Sequence, residues 1–154
     1  MEELRAHPRC ADSRSTATSN HEEIMKYTRL TPNLVVRDVQ AAIQFYTTVL
    51  GFRQAITVPD APPYVFASVT AGDIEIFFNE QKTVAADYPA LARDPLGGTL
   101  TLFLECEAIE EILSAVEKSG AHIVMPLKTQ FYGMREFAFL DPEGWTITMA
   151  ERVQ

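Results

Sequence analysis

The side chains able to do chemistry in this chain are few and poorly grouped for catalysis. Of three histidines, His7 and His21 fall in the first 25 residues, and only His122 follows residues patterned like a core. A shell of imidazoles for Zn, Ni or Fe cannot be assembled from one such histidine. Cys10 and Cys106 are too few for a disulfide framework and read as unpaired thiols in a reducing compartment. No Cys–His or Ser–His pattern marks an activated nucleophile, so covalent catalysis has nothing to rest on. There is no Gly-rich phosphate loop; Gly97-Gly98 reads as a linker turn. That leaves Glu75, set between Ile74 and Ile76 in a strand-like run. Buried among rings, its carboxyl would rise in pKa and could act as a base; facing water, it is an ordinary strand residue. Tyr132 and Arg135, either side of Gly133, could gate a cleft or hold an anionic group. Equally, Arg135 could pair with Glu136 or another surface acid.

Bulk properties bound what these residues can be part of. With 154 residues, 47% hydrophobic and 22% charged, the chain reads as one compact domain, or two small modules sharing a core, that folds without disulfide or metal. A net charge of −8 without any basic cluster argues against nucleic acid and leaves room for a cationic ligand. No apolar run reaches the roughly 20 residues that a bilayer demands, and the first 25 residues lack a secretory signal, so a cytoplasmic protein is expected, with no membrane partner. Residues 1–25 lack apolar periodicity and read as a disordered leader.

The elements that must position the candidate groups come in two copies. Gly51 recurs as Gly120, Phe66 as Phe137 and Gly72 as Gly144, offsets of 69, 71 and 72 residues. A near-constant offset marks a duplicated supersecondary unit. In the first copy, a strand from Leu30 to Val36 leads to Asp38, a good N-cap. Val39, Ala42, Ile43, Tyr46, Val49 and Leu50 then follow at helical spacing up to Gly51. Strands are expected at Phe52 to Val58, Tyr64 to Thr70 and Asp73 to Asn79, and a short helix near Thr83 to Leu91. The second copy runs from a strand at Thr99 to Glu105, through a helix at Ile109 to Lys118, to strands at Ala121 to Met125, Arg135 to Leu140 and Trp145 to Glu151. The expected organisation is a domain over 28–152: module one 28–80, linker 81–98, module two 99–152. The fold class is α+β: two tandem βαβββ modules forming a curved mixed sheet around a shared cleft.

Alternation along the strands sorts faces. Leu34, Val36, Ile74, Ile76, Phe78, Leu102, Leu104, Ile147 and Met149 should pack on the helices. Thr31, Asn33, Val35, Glu75, Phe77, Thr101, Phe103, Glu105, Thr146, Thr148 and Ala150 then share the other face. Hydroxyls, two rings and one or two carboxylates would stack a flat or apolar group and bond its edges; a carboxylate beside rings also suits a cation. Phe77 and Phe103 could instead fill core, the threonines could be plain strand formers, and Trp145 could be partly buried packing.

This order of elements, with Asp38, Phe45-Tyr46 and Leu50-Gly51-Phe52 in one half and Asp141-Pro142-Glu143-Gly144 in the other, resembles the glyoxalase/bleomycin-resistance/dioxygenase superfamily, the vicinal oxygen chelate proteins, over about residues 28–152. Phe131-Tyr132-Gly133-Met134-Arg135-Glu136-Phe137 is similar to its bleomycin-resistance-like members. The resemblance implies curved sheets facing a cleft, and commonly a homodimer. It also implies that metal-dependent relatives place four ligands at positions falling here on Thr31, Glu75, Thr101 and Thr148. Three threonines in that set predict no bound metal, no cofactor and no catalytic residue. The expected ligand-binding residues are Thr31, Asn33, Glu75, Phe77, Thr101, Phe103, Tyr132, Arg135 and Thr148. The expected function is metal-free binding of a small molecule, cationic or aromatic, such as an antibiotic. The alternatives are a metal-dependent or metal-free lyase or dioxygenase of the same fold, and a regulatory protein whose open sheet face takes another protein.

Overall fold

The computed structural model describes residues 26–154; the expected leader, with His7, His21 and Cys10, lies outside the described residues. Module one comprises β1 (Asn33–Val36), α1 (Val39–Thr48), β2 (Arg53–Val58), β3 (Phe66–Ala71) and β4 (Ile74–Glu80). After α2 (Gln81–Asp87) and a 3-10 turn (Pro89–Leu91), module two repeats the order with β5 (Thr101–Glu105), α3 (Ile109–Ser119), β6 (Ile123–Thr129), β7 (Met134–Leu140) and β8 (Thr146–Arg152). The eight strands divide into two four-stranded sheets, ordered β1-β4-β3-β2 and β5-β8-β7-β6. In each, the first strand pairs parallel with the last and the other pairings are antiparallel. The chain is thus α+β, built from two tandem βαβββ units.

Local chemistry explains most of these boundaries. Asp38 is extended, and its Oδ1 accepts the Ala41 N–H at 3.0 Å, which starts α1. Val39, Ala42, Ile43 and Tyr46, spaced for one helix face, are the residues α1 buries. β1 begins at Asn33 rather than Leu30, because Pro32 has no N–H to give a ladder; its carbonyl still accepts from Phe77 N at 2.9 Å. Leu30 is consequently exposed. β6 runs on through Pro126 to Thr129, four residues beyond the expected end at Met125. It is an edge strand with register shifts on either side of Met125, the setting in which a strand tolerates proline. Capping of α3 has no local signal: Ala108 takes a left-handed conformation, and the Ile109 N–H reaches Glu151 Oε1 of β8 at 3.3 Å.

The helix sides of both sheets share one core, in which Leu34, Val36, Ile76 and Phe78 of module one join Ile109, Phe137, Phe139 and Ile147 of module two. The modules are also stitched through polar groups. Tyr46 donates its hydroxyl to Asp141 at 2.9 Å, Trp145 Nε1 donates to the Val35 carbonyl at 3.0 Å, and Arg37 pairs with both Asp94 and Glu143. Trp145 is therefore inter-module packing with its N–H satisfied. The linker is pinned to the same seam. A Cβ on Gly97, whose φ is +88°, would meet the Gly144 carbonyl oxygen at 2.3 Å. Gly97→Ala is expected to destabilise the fold by more than about 1 kcal/mol, since it adds a φ penalty to a backbone clash. Urea unfolding of the variant measures it; an unchanged midpoint would show that the linker yields freely.

Candidate functional site

Register fixes which side chains share the face of each sheet opposite its helix. In module one, Asn33 pairs with Phe77 and Phe77 with Ser68, while Glu75 pairs with Thr70. Asn79 Nδ2 donates to Asn33 Oδ1 at 2.6 Å, and Arg29 forms an ion pair with Glu75. Phe77 meets Phe66 edge to face, ring centres 5.2 Å apart. Thr31 is half-buried immediately before the strand. Ser68 is fully enclosed on this face, and its hydroxyl has no partner among the described residues. A buried hydroxyl left unbonded costs about 1–3 kcal/mol, so Ser68 marks a niche with unused bonding capacity.

In module two the open face carries two cross-strand rows: Phe103–Thr148–Ala138–Met125 and Glu105–Ala150–Glu136–Lys128. The Thr101 and Thr148 hydroxyls bond each other at 3.0 Å. Phe103 leaves half of its surface exposed, enough for a flat group to lie against. At the β6–β7 hairpin, Gly133 takes φ +81° and Phe131 and Tyr132 stand at the tip in edge-to-face contact. The Tyr132 hydroxyl reaches back to both carboxylate oxygens of Glu136, at 2.8 and 2.9 Å, and Gln130 Nε2 donates to the same group at 3.2 Å. That contact with Glu136 raises the pKa of Tyr132, so the phenol stays a donor at neutral pH.

Of the nine candidate residues, the structure groups Asn33, Glu75 and Phe77 on one open face, with Thr31 just before β1, and Thr101, Phe103 and Thr148 on the other with Tyr132 at its rim. Arg135 lies elsewhere. It shares parity with Phe137 and Phe139 on the helix side of β7, where it pairs with Glu110 of α3 and with Glu151 at 3.2 Å. The acid expected beside it, Glu136, points to the opposite face. Arg135 does line the largest of the main cavities, about 880 Å³, together with Glu105, Cys106, Glu151 and Arg152. The charges there are already matched, Arg135 with Glu151 and Arg152 with Glu105, so little is left to recognise a ligand. Burial, then the Glu151 charge, raise the Cys106 thiol, which makes it a poor nucleophile. Ser68 was not singled out in the sequence, and Glu136 only as a partner for Arg135; period-2 parity applied to β3 and β7 places both on the open faces.

The four positions that the resemblance implies for a divalent ion carry side chains that do not suit one. Thr101 and Thr148 bond each other, Thr31 offers a neutral oxygen, and Glu75 is taken by Arg29. Among the described residues, no three of His, Cys, Asp and Glu converge.

The family model described as the Glyoxalase/Bleomycin resistance protein/Dioxygenase superfamily matches residues 26–149. The chain belongs to that superfamily. It is similar to the bleomycin resistance proteins of Geobacillus stearothermophilus and Staphylococcus aureus, each 27% identical over 131 residues that cover 80% of this chain and 96% of theirs. Among solved structures, a glyoxalase/bleomycin resistance protein/dioxygenase family enzyme from Burkholderia phytofirmans superposes with a TM-score of 0.68 at 22% identity, covering 80% of this chain and 97% of that one. TioX from Micromonospora sp. ML1 superposes at 0.65 with 16% identity, covering 82% and 100%. At these identities the structural likeness speaks for the fold. No described helix is long and apolar enough to cross a membrane.

Proposed function

We propose that this superfamily member binds a small, flat, cationic or aromatic molecule on its open sheet faces and works without a metal. The observation that carries the reading is the Thr101–Thr148 hydroxyl pair, which stands where metal-dependent relatives would supply ligands and lies beside the half-exposed Phe103. Hydroxyls and rings select a ligand by edge bonding and stacking, with no Lewis acid. The net charge of −8 favours the approach of a cation. The similarity to bleomycin resistance proteins supports sequestration of such a compound over chemical change. We further propose a homodimer. Phe103, Ile56 and Val58 leave apolar surface exposed on the two open faces, which a second copy would cover while closing a cleft over the ligand.

Thermal shift with bleomycin and with cationic and anionic aromatic compounds tests the reading. At about one hundred times Kd, a cationic ligand is expected to raise the midpoint by about 5–10 °C. Stabilisation by acidic metabolites alone would refute the cationic reading. Near-stoichiometric Ni, Zn, Mn or Fe in elemental analysis of native protein would favour a lyase or dioxygenase instead.

A further inference from the structure

Among the described residues, two carboxylates are buried, Glu136 and Asp141. Glu75, Glu105, Glu143 and Glu151, all partly exposed, each face an arginine. Asp141, which is buried, collects a tyrosine hydroxyl and two backbone N–H groups. Glu136 is more deeply buried than any of these, at 3% exposure, yet no arginine or lysine among the described residues comes within ion-pair distance of it. Its partners are the neutral Tyr132 hydroxyl and Gln130 amide. A buried carboxylate bonded by neutral donors alone is costly, because no direct ion pair offsets its lost hydration; Lys128, its exposed cross-strand neighbour, forms none.

The surroundings say what would offset it. Glu136 lies on the open face and not the helix side, in the row of Glu105, Ala150 and the exposed Lys128, beside the row of Phe103, Thr148 and Ala138. Both of its donors belong to the β6–β7 hairpin, whose tip carries the solvent-facing rings of Phe131 and Tyr132 and turns at Gly133. That one element therefore both satisfies the carboxylate and sets the Tyr132 ring, with Phe131 against it, beside the same spot. A carboxylate flanked by rings attracts an organic cation through both charge and ring quadrupole.

We infer that Glu136 is the anionic anchor of a subsite for an ammonium group carried on an aromatic body, with the Tyr132 hydroxyl holding the carboxylate until the cation replaces or joins it. The inference rests on the proposed binding function and deepens it: the apolar body lies along Phe103, and the charge sits at Glu136.

Three probes sharing one ring system separate the two claims: 2-naphthylmethylamine, 2-naphthylmethanol and 2-naphthoate, titrated into the full chain and followed by calorimetry and amide chemical shifts. The wild type is expected to bind the amine about tenfold or more tighter than the alcohol, with shifts at Glu136, Ala150 and Tyr132. Glu136→Gln should bring the two affinities together and leave the alcohol's unchanged. Alcohol binding with no preference for the amine, or a preference that survives Glu136→Gln, overturns the anchor and leaves the binding reading intact. Failure of amine and alcohol alike to bind saturably overturns both. Should Glu136→Gln not fold, Tyr132→Phe decides: removal of a neutral donor from a retained charge should tighten amine binding several-fold, and weaker binding rejects the anchor.

Discussion

Phe139→Ala is expected to lower stability by about 3–5 kcal/mol, among the largest losses any single side chain can inflict here. Phe139 is fully buried on β7, stacked on Phe137 with ring centres 5.8 Å apart. It also meets Phe45 of α1 at 6.2 Å, so the same ring serves the core of module two and the contact between modules. Truncation removes roughly 150–250 Å² of buried aromatic surface and opens a void where two sheets and a helix converge. Guanidinium unfolding, read at Trp145 on the seam and by far-ultraviolet dichroism for the whole chain, checks the size and the coupling. One cooperative transition shifted to lower denaturant is expected. A loss under about 1 kcal/mol, or two separated transitions, would show that the modules do not share this ring as a keystone.

The faces of β7 were left unsorted in the sequence, yet its pattern contains the inward place of that ring, and the reason is physical. β7 alternates small or polar groups with Phe137 and Phe139, and a sheet face covered by a helix must be apolar. The same logic placed Leu34, Val36, Ile76 and Phe78 inward, and Asn33, Glu75 and Phe77 outward, but Ile74, expected inward with them, stands exposed at the start of β4. α1 was legible because its cap, its apolar spacing and the following Gly51, at φ +73°, all lie within 14 residues. Arg135 was placed with the ligand-binding residues, although parity with Phe137 and Phe139 contained the opposite answer, because a turn glycine two residues earlier suggested rim geometry. Other features were beyond any local reading. The Ile109 N–H is capped by a residue 42 positions away, and Tyr46 meets Asp141 across 95. Only the packing of one module on the other creates those bonds.

The two open faces follow from that packing. Because α1 covers the helix side of its own sheet and reaches module two through Tyr46 to Asp141 and Phe45 to Phe139, while α3 buries Ile109 and Val116 against the second sheet, the surfaces left free are those opposite the helices. On these faces the side chains are hydroxyls, amides, rings and carboxylates, spaced at the period of the strands. A face built this way owes its ligand preference to a few individual groups. The loss of one charge at Glu136 should change selectivity, while the core stays as it is.

Asp141→Ala is expected to cost about 3–5 kcal/mol, because it strips the acceptor from three donors at once: Tyr46 Oη and the backbone N–H groups of Glu143 and Trp145, each at 2.9 Å. The pH dependence separates the charge from the bonds. Burial raises the Asp141 carboxyl above its usual 3.8, outweighing the three donors that pull the other way. Burial likewise lifts the Tyr46 phenol, which therefore stays protonated as donor. A carboxyl whose folded pKa is raised binds its proton more tightly in the native state than in the unfolded chain. Its contribution is fully present below about pH 4 and is lost as pH rises through the raised value, with a slope of at most about 1.4 kcal/mol per pH unit. Asp141→Asn keeps an acceptor oxygen for the two N–H groups and has no proton to lose. The stability of the wild type minus that of Asp141→Asn, measured by urea unfolding from pH 4 to 7, should therefore fall as pH rises. A difference that is flat, or that grows with pH, would mean the seam holds Asp141 as a well-solvated anion, and burial at the junction would not be what sets its charge.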